Sequence, residues 1–133
     1  MALQSKKKVK SSVAQKFDTE KIRMDLLPPL ALNEIAKVFT FGAQKYSAWN
    51  WSNGIDQSRL FGALQRHLNA WQRGEELDPE SGEPHLSHAG CCMLMLMETA
   101  LLRKDLDDRP THYKTIKNLK PNNARYRDPA SIR

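Results

Sequence analysis

Residues 84–104 read PHLSHAGCCMLMLMETALLRK, and over residues 89–97 the stretch is apolar almost all the way round a helical circumference. A helix without a polar face sits at the centre of a bundle or between subunits. The nearly apolar run, residues 89–102, is 14 residues long and contains Glu98. That is short of the roughly 20 residues needed to cross a bilayer. The stretch therefore predicts a buried third helix, with no role in a membrane.

Two further helices are predicted upstream. Residues 30–46, LALNEIAKVFTFGAQKY, place Leu32, Ile35, Val38, Phe39 and Gly42 on one helical face, with Glu34, Lys37, Phe41 and Lys45 on a neighbouring stripe. Residues 17–29, FDTEKIRMDLLPP, are an extended lead-in, because the Pro28-Pro29 pair resists helix on its N-terminal side while Pro29 suits a first helical turn. The loop SAWNWSNG, residues 47–54, closes on the Asn53-Gly54 turn signal. Asp56 or Ser58 then caps a second helix running through Arg73, with Leu60, Leu64, His67 and Trp71 on its seam and Gly74 at its end. There is no strand pattern and no internal repeat. The fold expected is all-α, and three helices of 17–21 residues make a core so thin that a second copy of the chain should complete it.

The length, 133 residues, fits one domain. A net charge of +6 invites a nucleic-acid partner, but its distribution argues against one: residues 1–16 carry +5, residues 17–108 carry −5 and residues 109–133 carry +6. The chain divides accordingly into a flexible basic arm (1–15), an acidic body (16–108) and a basic tail (109–133) with one short helical possibility near 112–119. Lysines at the N-terminus have no apolar segment behind them, so no secretory signal is expected. Cys91 and Cys92 are adjacent and point about 100° apart in a helix, which reads as two buried thiols in a reducing compartment, the cytoplasm.

The residues with most chemistry are DPESGEPHLSH, 78–88. His85 and His88 share a face at a helix start, and the acid-rich loop before them delivers Asp78 and Glu80. Such a set binds a divalent cation, oxygen donors suiting magnesium or manganese and imidazoles favouring manganese or zinc. It is equally readable as acids complementing a helix N-terminus beside surface histidines. His67 on the apolar seam is either a core histidine or a ligand. Arg59, Arg66 and Arg73 form one stripe, either a solvated face or a row of phosphate-gripping guanidiniums. Trp49 and Trp51 flank Asn50, an arrangement that can stack a base and read its edge or plug a bundle end. Glu34, with Lys37 and Lys45 on its stripe, also reads as an intrahelical ion pair.

Three segments, KFDTEKIRMDLLPP, GAQKYSAWNW and RLFGALQRHLNAWQRGEELDPESGEPHLSHA, together resemble the phage dATP/dGTP diphosphohydrolase family, which is grouped with the MazG-like all-α nucleoside triphosphate pyrophosphohydrolases. The similarity runs from about Lys16 to Glu98. It implies a MazG-like bundle assembled as a dimer or tetramer. It also implies metal-dependent cleavage of a purine deoxynucleoside triphosphate between its α- and β-phosphates, giving the monophosphate and pyrophosphate. In phages that replace adenine by 2-aminoadenine, such an enzyme supplies dGMP, and its setting is the host cytoplasm. MazG-like enzymes place metal ligands in ExxE and ExxD motifs on successive helices. Here Ala63, Arg66 and His67 stand where the first would fall, and His85 and His88 where the second would.

The metal, magnesium or manganese, must therefore draw its ligands from Glu34, His67, Asp78, Glu80, His85 and His88. The first four expected are Glu34, Asp78, His85 and His88, with His67 as ligand or orienter. Glu34 or Asp78 would orient the attacking water, with His88 beside them. Arg59, Arg66, Lys45 and Lys16 or Lys21 would neutralise the triphosphate. Tyr46, Trp49, Asn50 and Trp51 would pack on the purine. Two competitors stand beside this reading: a helical nucleic-acid binder using the basic tails, and a relative that binds nucleotides without turnover.

Overall fold

Pro29 opens the first helix at a position where its missing N–H costs nothing, and Leu27 and Pro28 before it are extended, as the double proline dictates, whereas the lead-in expected to be extended throughout turns at residues 19–20 and again at Met24–Leu26. The computed structural model describes residues 13–111. Most of the basic arm and the basic tail, including the short helix expected near 112–119, lie outside the described residues. Within them the chain forms three α-helices: α1 (Pro29–Lys45), α2 (Gln57–Gln72) and α3 (His85–Leu102). Short 3-10 turns stand at Met24–Leu26, Asn50–Asn53 and Lys104–Leu106. No strand occurs among the described residues, only an isolated antiparallel bridge between Leu77 and Pro84. The architecture is all-α.

α3 is central, packing against both α2 and α1. The buried cluster joins Leu64 of α2 to Ala89 and Cys92 of α3, with Ala63 and Met95 half-buried around it. Against α1 the approach is close: a Cβ at Gly90 would lie 2.7 Å from Ile35 Cδ1, so any side chain there would force Ile35 to shift. Cys91 and Cys92 are free and buried.

The core is as thin as three helices allow. Val38 is the single buried residue of α1, and Leu32, expected on its inner face, is exposed. α3 itself is two-sided. Ala89, Cys91, Cys92 and Thr99 are buried, whereas Leu86, Met93, Leu94, Met97 and Leu101 stay exposed.

The start of α2 departs from the expected cap. Asp56 occupies the cap position but its side chain makes no capping bond. The Ser58 N–H instead donates to Asp108 Oδ1 at 2.8 Å, and the Ser58 hydroxyl donates to Asp108 Oδ2. The segment after α3 is thus folded back over the N-terminus of α2, where the buried Gln57 side chain donates to the Arg103 carbonyl at 3.4 Å. At its other end α2 stops at Gly74, whose φ of 90° is the left-handed geometry that glycine tolerates.

Candidate functional site

The acidic loop between α2 and α3 folds as a tight hairpin around Asp78. Its backbone N–H donates to the Glu83 carbonyl at 2.9 Å, Gly82 N–H returns to the Asp78 carbonyl at 2.8 Å, and Gly82 turns the chain with φ of 73°. Asp78 Oδ1 then accepts three donors: the N–H groups of Glu80 (3.1 Å) and Ser81 (2.9 Å) and the Ser81 hydroxyl (3.1 Å). Sequence patterning explains this locally, because an Asp side chain readily accepts from the backbone N–H two residues on, here Glu80, to make an Asx turn. The carboxylate is thereby aimed at the start of α3 rather than at solvent.

Three imidazoles meet it there. His67 comes from the third turn of α2, His85 and His88 from the first turn of α3. The Nδ1 atoms of His67 and His85 are 2.9 Å apart. The His88 ring lies flat on the His67 ring, centroids 4.5 Å apart with planes 14° from parallel. His88 Nε2 is 2.6 Å from the Ser81 hydroxyl and 3.8 Å from Asp78 Oδ1. His67, Asp78 and His85 each offer a ligand atom within 4.8 Å of the others.

The electrostatics favour neutral rings at His67 and His88 beside an ionised carboxylate. Burial pushes the protonation of His67 down, and the neighbouring His88 and His85 push it further. Burial also lowers His88, against a partial pull upward from Asp78. For Asp78, burial acts to raise the carboxyl, but the Ser81 hydrogen bonds and the adjacent His88 outweigh it and hold it below the usual carboxylate value. Neutral imidazole and ionised carboxylate are the forms that ligate a metal. The donors present therefore fit a divalent cation. The Nε2 of His85, which is 5% exposed, is buried without a hydrogen-bond partner.

A cleft of about 710 Å³ adjoins this corner, lined by His67, Asp78, Glu80 and His88 together with Lys45, Tyr46 and the Trp49–Trp51 loop. Its floor is Cys91, Cys92 and Met95 of α3. Burial lifts the Cys91 thiol to about 12 and raises Cys92 as well, so the floor is apolar and chemically inert. Lys45 and Glu80 form an ion pair across the cleft mouth, and the ammonium stands 5.3 Å from the centre of the Tyr46 ring.

The two tryptophans differ. Trp51 is half-buried and meets Phe39 of α1 edge-on at 6.4 Å. Trp49 is 72% exposed and adopts a left-handed backbone, φ 62° and ψ 15°, which is uncommon for a bulky residue. Its ring lies 5.9 Å from that of Trp51.

Of the residues singled out from sequence, the structure gathers His67, Asp78, His85 and His88 at one corner and sets Glu80, Lys45, Tyr46, Trp49, Asn50 and Trp51 around the same cleft. It does not bring the others there. The Glu34 carboxylate is held by Lys37 at 2.7 Å on α1, the intrahelical pair that its stripe also allowed, and Glu34 is neither among the converging ligand residues nor in the cleft lining. Glu80 pairs with Lys45 and is not one of the three residues whose ligand atoms converge, although its charge reaches His88. Arg59 and Arg66 are exposed on α2 and do not line the cleft. Lys16 pairs with Asp18 at 3.7 Å, and Lys21 is exposed on the lead-in. His85 and His88 are not surface groups: His85 is buried and His88 half-buried. Sequence reasoning missed Ser81, which links Asp78 to His88, and Phe39, which anchors Trp51. Ser81 was within reach of the Asx-turn pattern, whereas Phe39 lies twelve residues from its partner and carries no local signal.

A family model described as "dATP/dGTP diphosphohydrolase, N-terminal" matches residues 11–109. A curated protein of Salmonella phage PMBT28 bearing the name dATP/dGTP diphosphohydrolase is 33% identical over 94 residues, covering 71% of this chain and 32% of that protein. The chain thus spans about a third of the length of the curated relative it matches. No solved structure matches.

Proposed function

The chain belongs to the dATP/dGTP diphosphohydrolase family, matching its N-terminal region, and from that premise we propose that it hydrolyses purine deoxynucleoside triphosphates, dGTP or dATP, between the α- and β-phosphates. The products are the monophosphate and pyrophosphate, and the setting is phage nucleotide metabolism, with dGMP supply for 2-aminoadenine synthesis as its place there. One observation carries the reading: His67, Asp78 and His88 of the imidazole–carboxylate corner and the Trp49–Trp51 loop line a single cleft. A purine on Trp49 and a triphosphate reaching towards Asp78 would both be accommodated.

His67, Asp78 and His85 are the residues that would hold a divalent cation, with His88 stacked against them. Such an ion supplies charge neutralisation for the phosphates and a more acidic water. Of the two ions expected, manganese accepts the imidazole donors better than magnesium, which prefers oxygen. Asp78, ionised and fixed by Ser81, orients the attacking water. Lys45 releases Glu80 to meet a phosphate oxygen at the cleft mouth. Trp49 stacks the base, and Asn50 beside it reads the base edge. Arg59 and Arg66 steer the polyanion from a distance rather than gripping it. Positioning and charge stabilisation are most of what phosphoryl chemistry requires.

The exposed stripe of α3, Leu86, Met93, Leu94, Met97 and Leu101, is the face on which a second copy would close the bundle, as a dimer or tetramer. No helix among the described residues is long and apolar enough to cross a membrane.

The test is a product assay with each deoxynucleoside triphosphate and its ribonucleotide, in magnesium and then in manganese. Purine monophosphate with pyrophosphate is expected. Nucleoside with tripolyphosphate, or no turnover with any nucleotide, would overturn the assignment.

A further inference from the structure

His85 is the most enclosed titratable group described at the cluster, and its Nε2 has no hydrogen-bond partner. A buried ring nitrogen left without a partner costs free energy, so the nearest acceptor matters. A carboxylate close enough to serve is that of Glu75, whose Oε2 stands 3.7 Å from His85 Nε2. Glu75 is itself held. Its Oε1 accepts from Arg73 Nη2 at 2.7 Å, and its backbone N–H donates to the Ala70 carbonyl at 3.0 Å at the end of α2. The His85 backbone N–H donates to the neighbouring Glu76 carbonyl at 2.9 Å, which fixes the start of α3 against the same segment. Arg73, Glu75, His85 and His67 therefore form a chain running from the surface into the cluster.

We propose that Glu75 is a positioning residue: its carboxylate accepts a hydrogen bond from His85 Nε2–H and so leaves the His85 Nδ1 lone pair facing His67. The alternative tautomer would turn the Nε2 lone pair towards a carboxylate, a repulsive arrangement, and leave the buried nitrogen without a donor. Half-exposed Glu75 has room to close the remaining gap to hydrogen-bonding distance. With His85 Nδ1 unprotonated, the 2.9 Å contact is made by a proton on His67 Nδ1 in the metal-free protein. Histidines that ligate metals hold their second ring N–H against a carboxylate or carbonyl, which fixes the ring and raises its basicity. Glu75 supplies that carboxylate, and Arg73 prevents it from swinging away. The effect on metal binding rests on the cation reading given above; the tautomer does not.

Heteronuclear NMR of the imidazole nitrogens in the metal-free full chain reads the tautomer directly, and cobalt(II) binding followed by visible absorption reads the ligand set. In the parent, His85 should carry its proton on Nε2. Glu75→Gln keeps an acceptor and should keep that tautomer, whereas Glu75→Ala should shift it. Cobalt(II) affinity should fall by about 10- to 100-fold in Glu75→Ala and recover most of the way in Glu75→Gln, with thermal midpoints close to the parent's. An unchanged tautomer together with unchanged cobalt affinity in Glu75→Ala would overturn the proposal while leaving the metal reading intact. A parent that binds no cobalt but whose tautomer responds to Glu75→Ala would uphold Glu75 as the orienting group and overturn the metal reading instead.

Discussion

His88 lies parallel on His67, ring centroids 4.5 Å apart, so an imidazole from α3 covers one from α2 at the mouth of the cluster. Two stacked rings that are also partly buried disfavour a positive charge on either. This relationship couples the helix–helix interface to the protonation state of the site.

A pH dependence of stability follows. Burial is the leading cause that lowers both His67 and His88 below their ordinary value of 6.5. A histidine with a depressed folded-state value binds fewer protons folded than unfolded. Its contribution is therefore complete above the unfolded value and is lost as pH falls through the folded one. The metal-free thermal midpoint should be flat above about pH 7 and decline below about 6.5. Asp78, held below 3.8, adds a second loss only in stronger acid. Replacing both His67 and His88 by Gln should flatten the first decline; a midpoint in the parent that rises on acidification would contradict it.

Asp78 and Glu34 should separate cleanly. Asp78→Asn keeps the hairpin acceptor but removes the charge, and turnover should fall by about 100-fold or more. Glu34→Gln breaks only the exposed pair with Lys37 and should leave kcat near the parent's. Steady-state kinetics of the two variants decide between them. Equal losses would return Glu34 to the site.

The tryptophans should divide between binding and stability. Trp49→Ala removes an exposed stacking face worth about 1–3 kcal/mol per base, read as a rise in KM with little change in Tm. Trp51→Ala removes the ring packed on Phe39 and should lower Tm. Thermal melts beside KM values for the two variants make the comparison, and a reversed pattern would place the purine elsewhere.

Asp108→Ala should lower Tm by several degrees, the scale on which losing a helix N-cap acts in a small domain. Asp56→Ala should do much less, because its carboxylate makes no capping bond. Melting curves for the pair test which acid caps α2.

Three helices, their order, the central place of α3 and the aromatic loop were all legible from residue order, because periodicity, proline and glycine placement and turn chemistry act over a few neighbours. So was the gathering of acids before His85 and His88, which a single loop delivers. Partner choice was not. Whether Glu34 meets a metal or Lys37, whether Glu80 faces the imidazoles or Lys45, and whether Asp56 or Asp108 caps α2 depend on where one helix lies against another. That is set by the close approach of Ile35 to Gly90 and by the packing of Leu64 on Ala89 and Cys92. The same packing brings His67, eighteen residues away along the chain, within 2.9 Å of His85. Short-range sequence determined which elements exist and which residues are available for chemistry. The tertiary structure decided which of them converge, because a side chain's partner is fixed by the distance and register between helices that no local pattern encodes.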